Sequence, residues 1–349
     1  MELLSYLSCI PCVPSSPYIK ISNKSYKINK LLGEGGFSYI YLVSDSNSSL
    51  FAIKRIKCLF SENDEFYKFA INELKNYKKF VRFKSPYIIQ SIDEDIIQEF
   101  DGSRTINILL PYFEKSLQDI INYNVLNNQL MSEVDILKIF IGTCRGLQVM
   151  HKFKQVKNQN YEPDNQEQDL LLNQEEDDDE VDEGVGNRIE LEELVPYAHR
   201  DIKPANIMIS AEGLPVLIDL GSTMKARVNV KNSQQAMSLM DFFAQNCTLP
   251  YRPPELFEIE VNDKITESTD IWSLGCLLYC CCFGTSPFEK IEIDKGANLM
   301  FAIKTCNYFI PENDYSPQLL QLIKDCLNLD PSKRPSIDSL IEGCLKLSR

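Results

Sequence analysis

Ten consecutive residues, Tyr197-Ala198-His199-Arg200-Asp201-Ile202-Lys203-Pro204-Ala205-Asn206, carry a carboxylate, an ammonium and a carboxamide in one short polar turn. Asp201 can accept a proton. Lys203 can steady an anionic oxygen. Asn206 can ligate a hard cation. Ile207, Met208 and Ile209 follow at once, and this apolar run reads as a buried strand that pins the loop. Asp219-Leu220-Gly221 then places a second carboxylate just before a flexible glycine. A solvated loop between strands would need neither these residue types nor this order.

Four further elements are expected to position these groups. Leu32-Gly33-Glu34-Gly35-Gly36-Phe37-Ser38-Tyr39-Ile40 lies between strand-like runs, and Ile40-Tyr41-Leu42-Val43 reads as the returning strand. The glycines therefore sit in a hairpin tip, where backbone amides can close over phosphates without a Cβ in the way. A plain hairpin turn is the alternative, and a dinucleotide site would want a helix directly after the loop. Phe51-Ala52-Ile53-Lys54 sets one lysine in an apolar strand. Ser61 can cap a helix with Glu62, Asp64 and Glu65 in its first turn. Phe66, Phe69, Ala70, Glu73, Leu74 and Tyr77 follow at helical spacing, so Glu73 falls on the apolar face, where a buried acid needs a cation. Leu109-Leu110-Pro111-Tyr112-Phe113 reads as a last strand running into a hinge.

Composition narrows the class. A chain of 349 residues suits two lobes, and 44% hydrophobic with 25% charged residues is ordinary for a globular protein. The net charge of −14 is local: residues 162 to 193 hold 15 Asp or Glu and one Arg, so the rest is neutral. A basic footprint for nucleic acid is absent, so no nucleic-acid partner is expected. The apolar run Ile271 to Phe283 is too short to span a bilayer and reads as a buried helix. Twelve cysteines are scattered, with Cys280-Cys281-Cys282 adjacent, which suits no disulfide framework. The opening residues do not read as a secretory signal, and a reducing compartment is expected.

Two segments stand apart. Residues 1 to 17 surround Cys9 and Cys12 with Leu3, Leu4, Tyr6, Leu7 and Ile10, and Lys20, Lys24, Lys27 and Lys30 follow with no acid among them. Acylatable thiols beside positive charge suit a membrane anchor built on S-palmitoylation of Cys9 and Cys12. Glu2 excludes N-myristoylation. Cys9-x-x-Cys12 has the spacing of a metal knuckle, but no second ligand pair follows at zinc spacing. The second segment, Lys152 to Pro196, follows an apolar-periodic helix over Val134 to His151. It is rich in Asn, Gln, Asp and Glu and reads as a disordered surface insertion, with docking of basic partners as the alternative. An EF-hand spacing for calcium is missing. Beyond Asp219, Ser233 can cap a helix with Ala236, Leu239, Met240 and Phe243 on one face.

His-Arg-Asp with Asn206 five residues after Asp201, and then Asp-Leu-Gly, resembles the signature of eukaryotic protein kinases. The resemblance spans roughly residues 27 to 346. Leu32-Gly-Glu-Gly-Gly-Phe-Ser-Tyr, Gly142-Thr-Cys-Arg-Gly-Leu and Pro215-Val-Leu-Ile-Asp-Leu-Gly-Ser look more narrowly like the Numb-associated kinase family. Within it they resemble the lipid-anchored, palmitoylated branch that includes a fungal vacuolar-membrane member. Departures are small: Ser38 stands for the third glycine, Ile40 for Val, Leu220 for Phe, and Pro253-Pro254-Glu255 for Ala-Pro-Glu.

The resemblance implies an α+β, bilobal fold: a mainly antiparallel β N-lobe with one key helix, and a mainly α-helical C-lobe. It implies a tail at 1–26, an N-lobe at 27–112, a C-lobe at 113–346, an insertion at about 152–196 and an activation segment at 219–255. ATP and Mg²⁺ are the implied cofactors. Leu32, Gly33, Glu34, Gly35, Gly36, Ile40 and Ala52 would surround the nucleotide. Lys54, paired with Glu73, would hold its α- and β-phosphates. The carbonyl of Pro111 and the amide of Phe113 would bind adenine, beside a gatekeeper at Leu110. Asp201 would orient the substrate hydroxyl and accept its proton, Lys203 would stabilise the transferring phosphoryl, and Asn206 and Asp219 would hold the metal. Glu255 would pair with Arg334, and Asp270 would brace the catalytic loop. Lys203 and Thr248 resemble serine/threonine rather than tyrosine kinases. The helix after Ser233 resembles an activation-segment helix that pre-orders the site, which implies basal activity and autophosphorylation, although Arg200 leaves a phosphate contact open. Protein substrates with Ser or Thr, and the cytoplasmic face of endomembranes (vacuole or Golgi) with some cytosolic protein, are the implied partners and place. A catalytically dispensable scaffold is the competing class. The oligomeric state is open.

Overall fold

Alternation builds the first sheet. In β1 (Tyr18–Ile21) and β2 (Lys24–Glu34), Ile19, Ile21 and Tyr26 are buried while Lys20, Lys24 and Lys27 are exposed. The computed structural model describes residues 17–35, 38–59, 65–156 and 192–348. Its chain divides into two units. The first comprises the described residues up to Glu114, with Ile209–Gly213 and Ile218–Gly221. The second takes Lys115–Met208, Leu214–Leu217 and Ser222 onward. Residues 17–26, assigned above to the tail, instead form β1 and the start of β2, because Tyr18↔Lys27 to Ile21↔Lys24 pair as a hairpin. Asp219 belongs to the first unit, whereas the sequence reading placed it with the C-lobe. Cys9, Cys12, Gly36, Ser61, Glu62 and Asp64 lie outside the described residues.

β3 (Ser38–Ser44), β4 (Leu50–Cys58), β5 (Asp93–Gln98) and β6 (Arg104–Pro111) complete a six-stranded antiparallel sheet in the order β1-β2-β3-β4-β6-β5. The pairings Gly33↔Ile40, Ile40↔Lys54 and Lys54↔Ile108 put these residues in one row across four strands. Ala52 opposes Leu42 and Leu110 two residues further on, on the same face. The opposite face carries a core of Ile19, Ile21, Tyr26, Tyr41, Val43, Ile53 and Leu109. Sheet alternation thus sends Lys54 to one side and Ile53 to the other. The helix α1 (Glu65–Val81) buries Ala70, Glu73, Leu74, Asn76, Tyr77 and Phe80.

The second unit is mainly helical. Its chain runs through β7 (Lys115–Ser116), α2 (Leu117–Leu126) and α3 (Glu133–His151). Ser116 and Asp119 form a reciprocal capping box at α2, and Ser132 caps α3. β8 (Lys154–Val156) pairs antiparallel with β9 (Glu192–Leu194), Lys154 opposite Leu194. The two ends of the insertion are therefore ordered, a correction to the boundary at 152–196. Residues 157–191 lie outside the described residues. β10 (Tyr197–Ala198) leads into the polar turn, and β11 (Ile207–Ile209) with β12 (Pro215–Leu217) closes it, as the apolar run predicts.

β13 (Met224–Lys225) pairs with β10, and β14 (Val228–Asn229) pairs with β15 (Lys264–Ile265). Between β14 and β15 runs α4 (Ser233–Asn246). Its cap is Asn232, whose Oδ1 accepts from Gln235 N at 2.8 Å, and not Ser233. Ala236, Leu239, Phe242 and Phe243 are its buried residues, so Phe242 replaces Met240 on the expected face. Then follow α5 (Ser268–Phe283), α6 (Pro287–Lys295), α7 (Leu299–Lys304), α8 (Pro317–Cys326) and α9 (Ile337–Leu347). α5 is apolar all round and buried from Thr269 to Cys282, the signature of a central core helix. Among the described residues, no single helix is long and apolar enough to cross a membrane, and the described cysteines are free thiols.

Close helix packing at α5 depends on one glycine. A Cβ at Gly275 would stand 2.7 Å from Cys326 Cβ and 3.0 Å from Leu327 Cγ. Alanine raises helix propensity by about 0.8–1.0 kcal/mol, but overpacking a well-filled core costs about 1–3 kcal/mol. Gly275→Ala is therefore expected to lower the urea midpoint, followed by fluorescence of Trp272, the sole tryptophan. An unchanged midpoint for Gly275→Ala would contradict this packing.

Candidate active site

The first cluster of functional side chains sits wholly in the first unit. Lys54 Nζ donates to Glu73 Oε1 at 2.5 Å and to Asp219 Oδ1 at 2.9 Å. Glu73 is buried, as the helical spacing requires, and the Asp219 side chain is 43% exposed. One cation between two carboxylates leaves a net negative charge. Burial opposes the charge on Lys54, but Asp219 and Glu73 together overcome it and hold the ammonium well above its ordinary range. Burial pushes the Glu73 carboxyl up, Lys54 pulls it back, and Asp219 pushes it up again. Gly221 permits the close approach: a Cβ there would lie 3.3 Å from Glu73 Oε2 and 3.4 Å from Asp219 Oδ1. Asp219 itself has φ +62°, a left-handed conformation that non-glycine residues rarely adopt.

The second cluster sits in the second unit. Asp201 is buried, and its carboxylate accepts four hydrogen bonds from three residues. Thr248 gives its N–H at 3.0 Å and its hydroxyl at 2.6 Å to Oδ1. Lys203 Nζ at 2.7 Å and Asn206 Nδ2 at 2.9 Å donate to Oδ2. Asn206 Nδ2 also reaches the Asp201 carbonyl at 2.8 Å, which turns its own Oδ1 away from the carboxylate. Lys203 donates in addition to Thr248 Oγ1 at 2.7 Å. The base is thus oriented by a lysine, an amide and a hydroxyl, and the lysine is oriented by both the base and Thr248.

Asp270, at the start of α5, fixes the backbone under this cluster. It is fully buried and accepts from His199 N at 2.8 Å and Arg200 N at 2.9 Å, with His151 Nε2 at 3.0 Å. Burial acts to raise the Asp270 carboxyl, but His151, Arg200 and His199 draw it below the ordinary carboxylate range. Arg200 has φ +70° and turns its guanidinium inward. It donates to Thr269 Oγ1 at 2.5 Å and to the Ala226 carbonyl at 2.8 Å, and lies over the Phe243 ring of α4. Nη1 and Nη2 of Arg200 thus meet neutral acceptors, and the guanidinium lies over an aromatic face. Arg252 donates to the Ala244 and Cys247 carbonyls at 3.1 and 2.6 Å, closing the C-terminal end of α4 next to Thr248. Glu255 and Arg334 form the expected two-point pair at 2.6 and 2.8 Å, with the guanidinium over Trp272.

Of the residues the sequence singles out, Lys54, Glu73 and Asp219 meet in the first unit, and Asp201, Lys203 and Asn206 meet in the second. Leu32, Gly33, Glu34 and Gly35 end β2, and Gly35 N bonds back to Ser38 O at 2.8 Å, a tight turn at the hairpin tip. Ile40, Ala52 and Lys54 share the sheet face described above, and Pro111 and Phe113 lie at and beyond the end of β6. Two contributors escaped that reading: Asn76, whose Nδ2 donates to the Leu220 carbonyl at 3.1 Å, and Arg252, because both meet backbone groups, which carry no residue-type signal.

The chemistry of Asp219 fits a hard divalent cation, since it offers partly exposed oxygens beside an excess of negative charge. In the second unit, Asn206 separately keeps a carbonyl oxygen turned away from the Asp201 carboxylate. Among the described residues no group of three His, Cys, Asp or Glu gathers as a protein-only cage. One or two protein oxygens completed by phosphate and water is the usual Mg²⁺ arrangement.

Comparison with known proteins agrees with this chemistry. The pattern of the protein kinase domain matches residues 26–162 and 196–344, interrupted across the acidic insertion. Serine/threonine-protein kinase ENV7 of Saccharomyces cerevisiae is 38% identical over 361 residues, covering 98% of this chain and 96% of its own. Serine/threonine-protein kinase ppk13 of Schizosaccharomyces pombe is 36% identical, covering 93% and 94%. Serine/threonine-protein kinase 16 of Homo sapiens is 33% identical, covering 95% and 92%. With an antiparallel-sheet unit, a helical unit and a family match over most of its length, this chain belongs to the protein kinase family and is a serine/threonine-protein kinase.

Proposed function

We propose that this kinase transfers the γ-phosphoryl of ATP to Ser and Thr hydroxyls of proteins, with the residues above in defined roles. The observation that carries the reading is the Asp201 carboxylate, held by four donors with Lys203 shared between it and Thr248. Asp201 orients the incoming hydroxyl and takes its proton. Lys203 neutralises charge growing on the transferred group. Lys54 grips the α- and β-phosphates and is itself positioned by Glu73. Asp219 and Asn206 are the proposed Mg²⁺ ligands, and the ion, when bound, neutralises phosphate charge. The N-lobe portion begins with the β1–β2 hairpin, and the chain around 157–191 is an insertion into the domain.

Two supports favour activity without an upstream kinase. Internal acceptors engage both Nη atoms of Arg200, which a phosphate would otherwise engage. The Asn232 cap, Arg252 and Phe243 hold α4 at its start, end and face. Autophosphorylation would then follow from activity rather than cause it.

We also propose association with membranes on the cytoplasmic face of the vacuole or Golgi, through acylated Cys9 and Cys12, with a role in endomembrane trafficking or fusion. The exposed Lys20, Lys24, Lys27 and Lys30 on the hairpin that follows supply positive charge suited to anionic headgroups.

Three outcomes are expected. Phosphatase-treated wild type should phosphorylate a Ser/Thr peptide at a rate on the order of 1–100 per second. Lys54→Arg and Asp219→Ala should fall below about a hundredth of it. A cellular phenotype that survives both substitutions would favour the scaffold instead. Thr248→Val, which leaves Asp201 and Lys203 each one partner short, should lower kcat by roughly 10- to 100-fold with KM for ATP little changed. Thr248→Ser should retain most activity, and equal losses in the two variants would contradict the role of the hydroxyl. Cys9→Ser/Cys12→Ser protein should move from the membrane pellet to the supernatant, and complete pelleting would remove the anchor.

A further inference from the structure

Helices α5 and α6 end on Gly284 and Gly296, both in left-handed backbone. A residue of that kind folds the chain back so that its N–H groups meet the last helical carbonyls. Helix α4 ends differently. Its final residue gives way to Cys247, which is extended at φ −112° and ψ 123° and donates its N–H to the Phe243 carbonyl at 3.0 Å. Thr248 is extended as well, at φ −63° and ψ 121°. The chain therefore leaves α4 toward Asp201 without folding back, and carbonyls of its last turn need donors from elsewhere.

Arg252 supplies them from four residues beyond Thr248. Its Nη2 donates to the Cys247 carbonyl at 2.6 Å and to the Ala244 carbonyl at 3.1 Å. Between Thr248 and Arg252 lies a single 3-10 turn, Leu249–Tyr251, in which Tyr251 N donates to Thr248 O at 3.0 Å and Arg252 N to Leu249 O at 3.2 Å. The backbone from Cys247 to Arg252 and the guanidinium thus close a ring, and Thr248 is one of its members. Ser273 Oγ of α5 donates to the Tyr251 carbonyl at 2.8 Å, which fastens the ring to the core helix. The Phe257 ring lies 5.2 Å from the guanidinium carbon.

The charge of Arg252 has no carboxylate partner among the described residues, although the side chain is buried. A buried cation is costly when nothing offsets it. Here the negative end of the α4 dipole does so, through two of its carbonyls. An apolar residue at 252 would leave both carbonyls unmet. A lysine would keep the charge but lose the planar fork that donates while resting on an aromatic face.

We propose that Arg252 is a positioning residue for phosphoryl transfer: by closing the end of α4 through the Ala244 and Cys247 carbonyls, it sets Thr248 so that its N–H and hydroxyl both meet Asp201. The proposal rests on the roles assigned above to Asp201 and Thr248. None of these contacts involves Lys54, Glu73 or Asp219. Loss of Arg252 is therefore expressed in kcat and not in the binding of MgATP.

Two measurements on the full-length protein test it. The first, amide hydrogen exchange, needs no activity. The Thr248 N–H, which Asp201 accepts at 3.0 Å, should exchange roughly tenfold faster in Arg252→Met than in wild type, the scale of one buried hydrogen bond. The amides of α9 should keep their wild-type rates. Unchanged exchange at Thr248 overturns the proposal, and so does equal acceleration in α9, which would mean a general loss of stability. The second is steady-state kinetics with a Ser/Thr peptide. Arg252→Met should lower kcat by roughly tenfold, with KM for MgATP within about twofold of wild type. The same substitution made in Thr248→Val should cost less than about threefold, because the hydroxyl that Arg252 sets is already gone and only the N–H remains. A full tenfold loss in both backgrounds, or none in wild type, overturns the proposal. If Arg252→Met does not accumulate, Arg252→Lys takes its place in both measurements, with smaller losses of the same pattern, and no loss overturns the proposal. Absence of transfer by wild type overturns the proposed function itself, and exchange at Thr248 then decides alone whether Arg252 sets that residue.

Discussion

One ammonium between two carboxylates is the constraint on which the first unit depends. Lys54 is delivered by strand alternation, Glu73 by helix periodicity and Asp219 by a turn with left-handed backbone. Three separately encoded local structures must agree to within a hydrogen-bond length for the cluster to form. Burying such charges is costly unless each is paired and hydrogen-bonded. The cluster therefore makes a poor structural staple, and its surplus negative charge suits a site completed by a cation and a phosphate.

The second unit solves a related problem by a different route. Its candidate base, Asp201, is oriented by donors from its own loop and from Thr248, while the backbone beneath it is tied to Asp270 on α5. Rigidity is thus passed from the core outward: α5 positions Asp270, Asp270 holds His199 and Arg200, and the loop presents Asp201. Arg200 joins the same framework to α4 through Phe243, so the segment after β14 is continuous with the catalytic loop. Preorganised donors of this kind cost little reorganisation at the moment of reaction.

Much of this could be read from the chain, and the reasons are physical. Lys54, Glu73, Asp201, Asn206 and Asp219 stand out because a charged or amide group in apolar surroundings breaks the local pattern. Helix α5 was legible from a long apolar run, and β11 from three apolar residues after a polar turn. The hairpin at Tyr18–Lys27 was missed because spaced lysines there read as a charged tail, although Ile19, Ile21 and Tyr26 alternate with them. Asn232 was missed as a cap because Ser233 beside it is an equally good capping type. The ends of the insertion pair as strands, although Glu192 and Glu193 suggest solvent, and an exposed Lys154–Glu192 pair at 3.2 Å lies diagonally across the ladder. Asn76 and Arg252 were not legible, since their partners are backbone groups and backbone carries no residue-type signal.

Asn76 and Arg252 share a feature. Each donates to main-chain carbonyl groups at a point where the chain changes direction, beside a catalytic or metal-binding candidate, Asn76 at Leu220 and Arg252 at Ala244 and Cys247. Side chains that recognise backbone fix a turn whatever its sequence, which leaves Asp219 and Thr248 free to be chosen for chemistry. The most direct measurement is calorimetric titration of MgATP into full-length wild type and Glu73→Gln at neutral pH. One nucleotide per chain, with at least about tenfold weaker binding in the variant, is the predicted result. Equal affinity in the two proteins would contradict the phosphate-anchoring role of the Lys54 cluster.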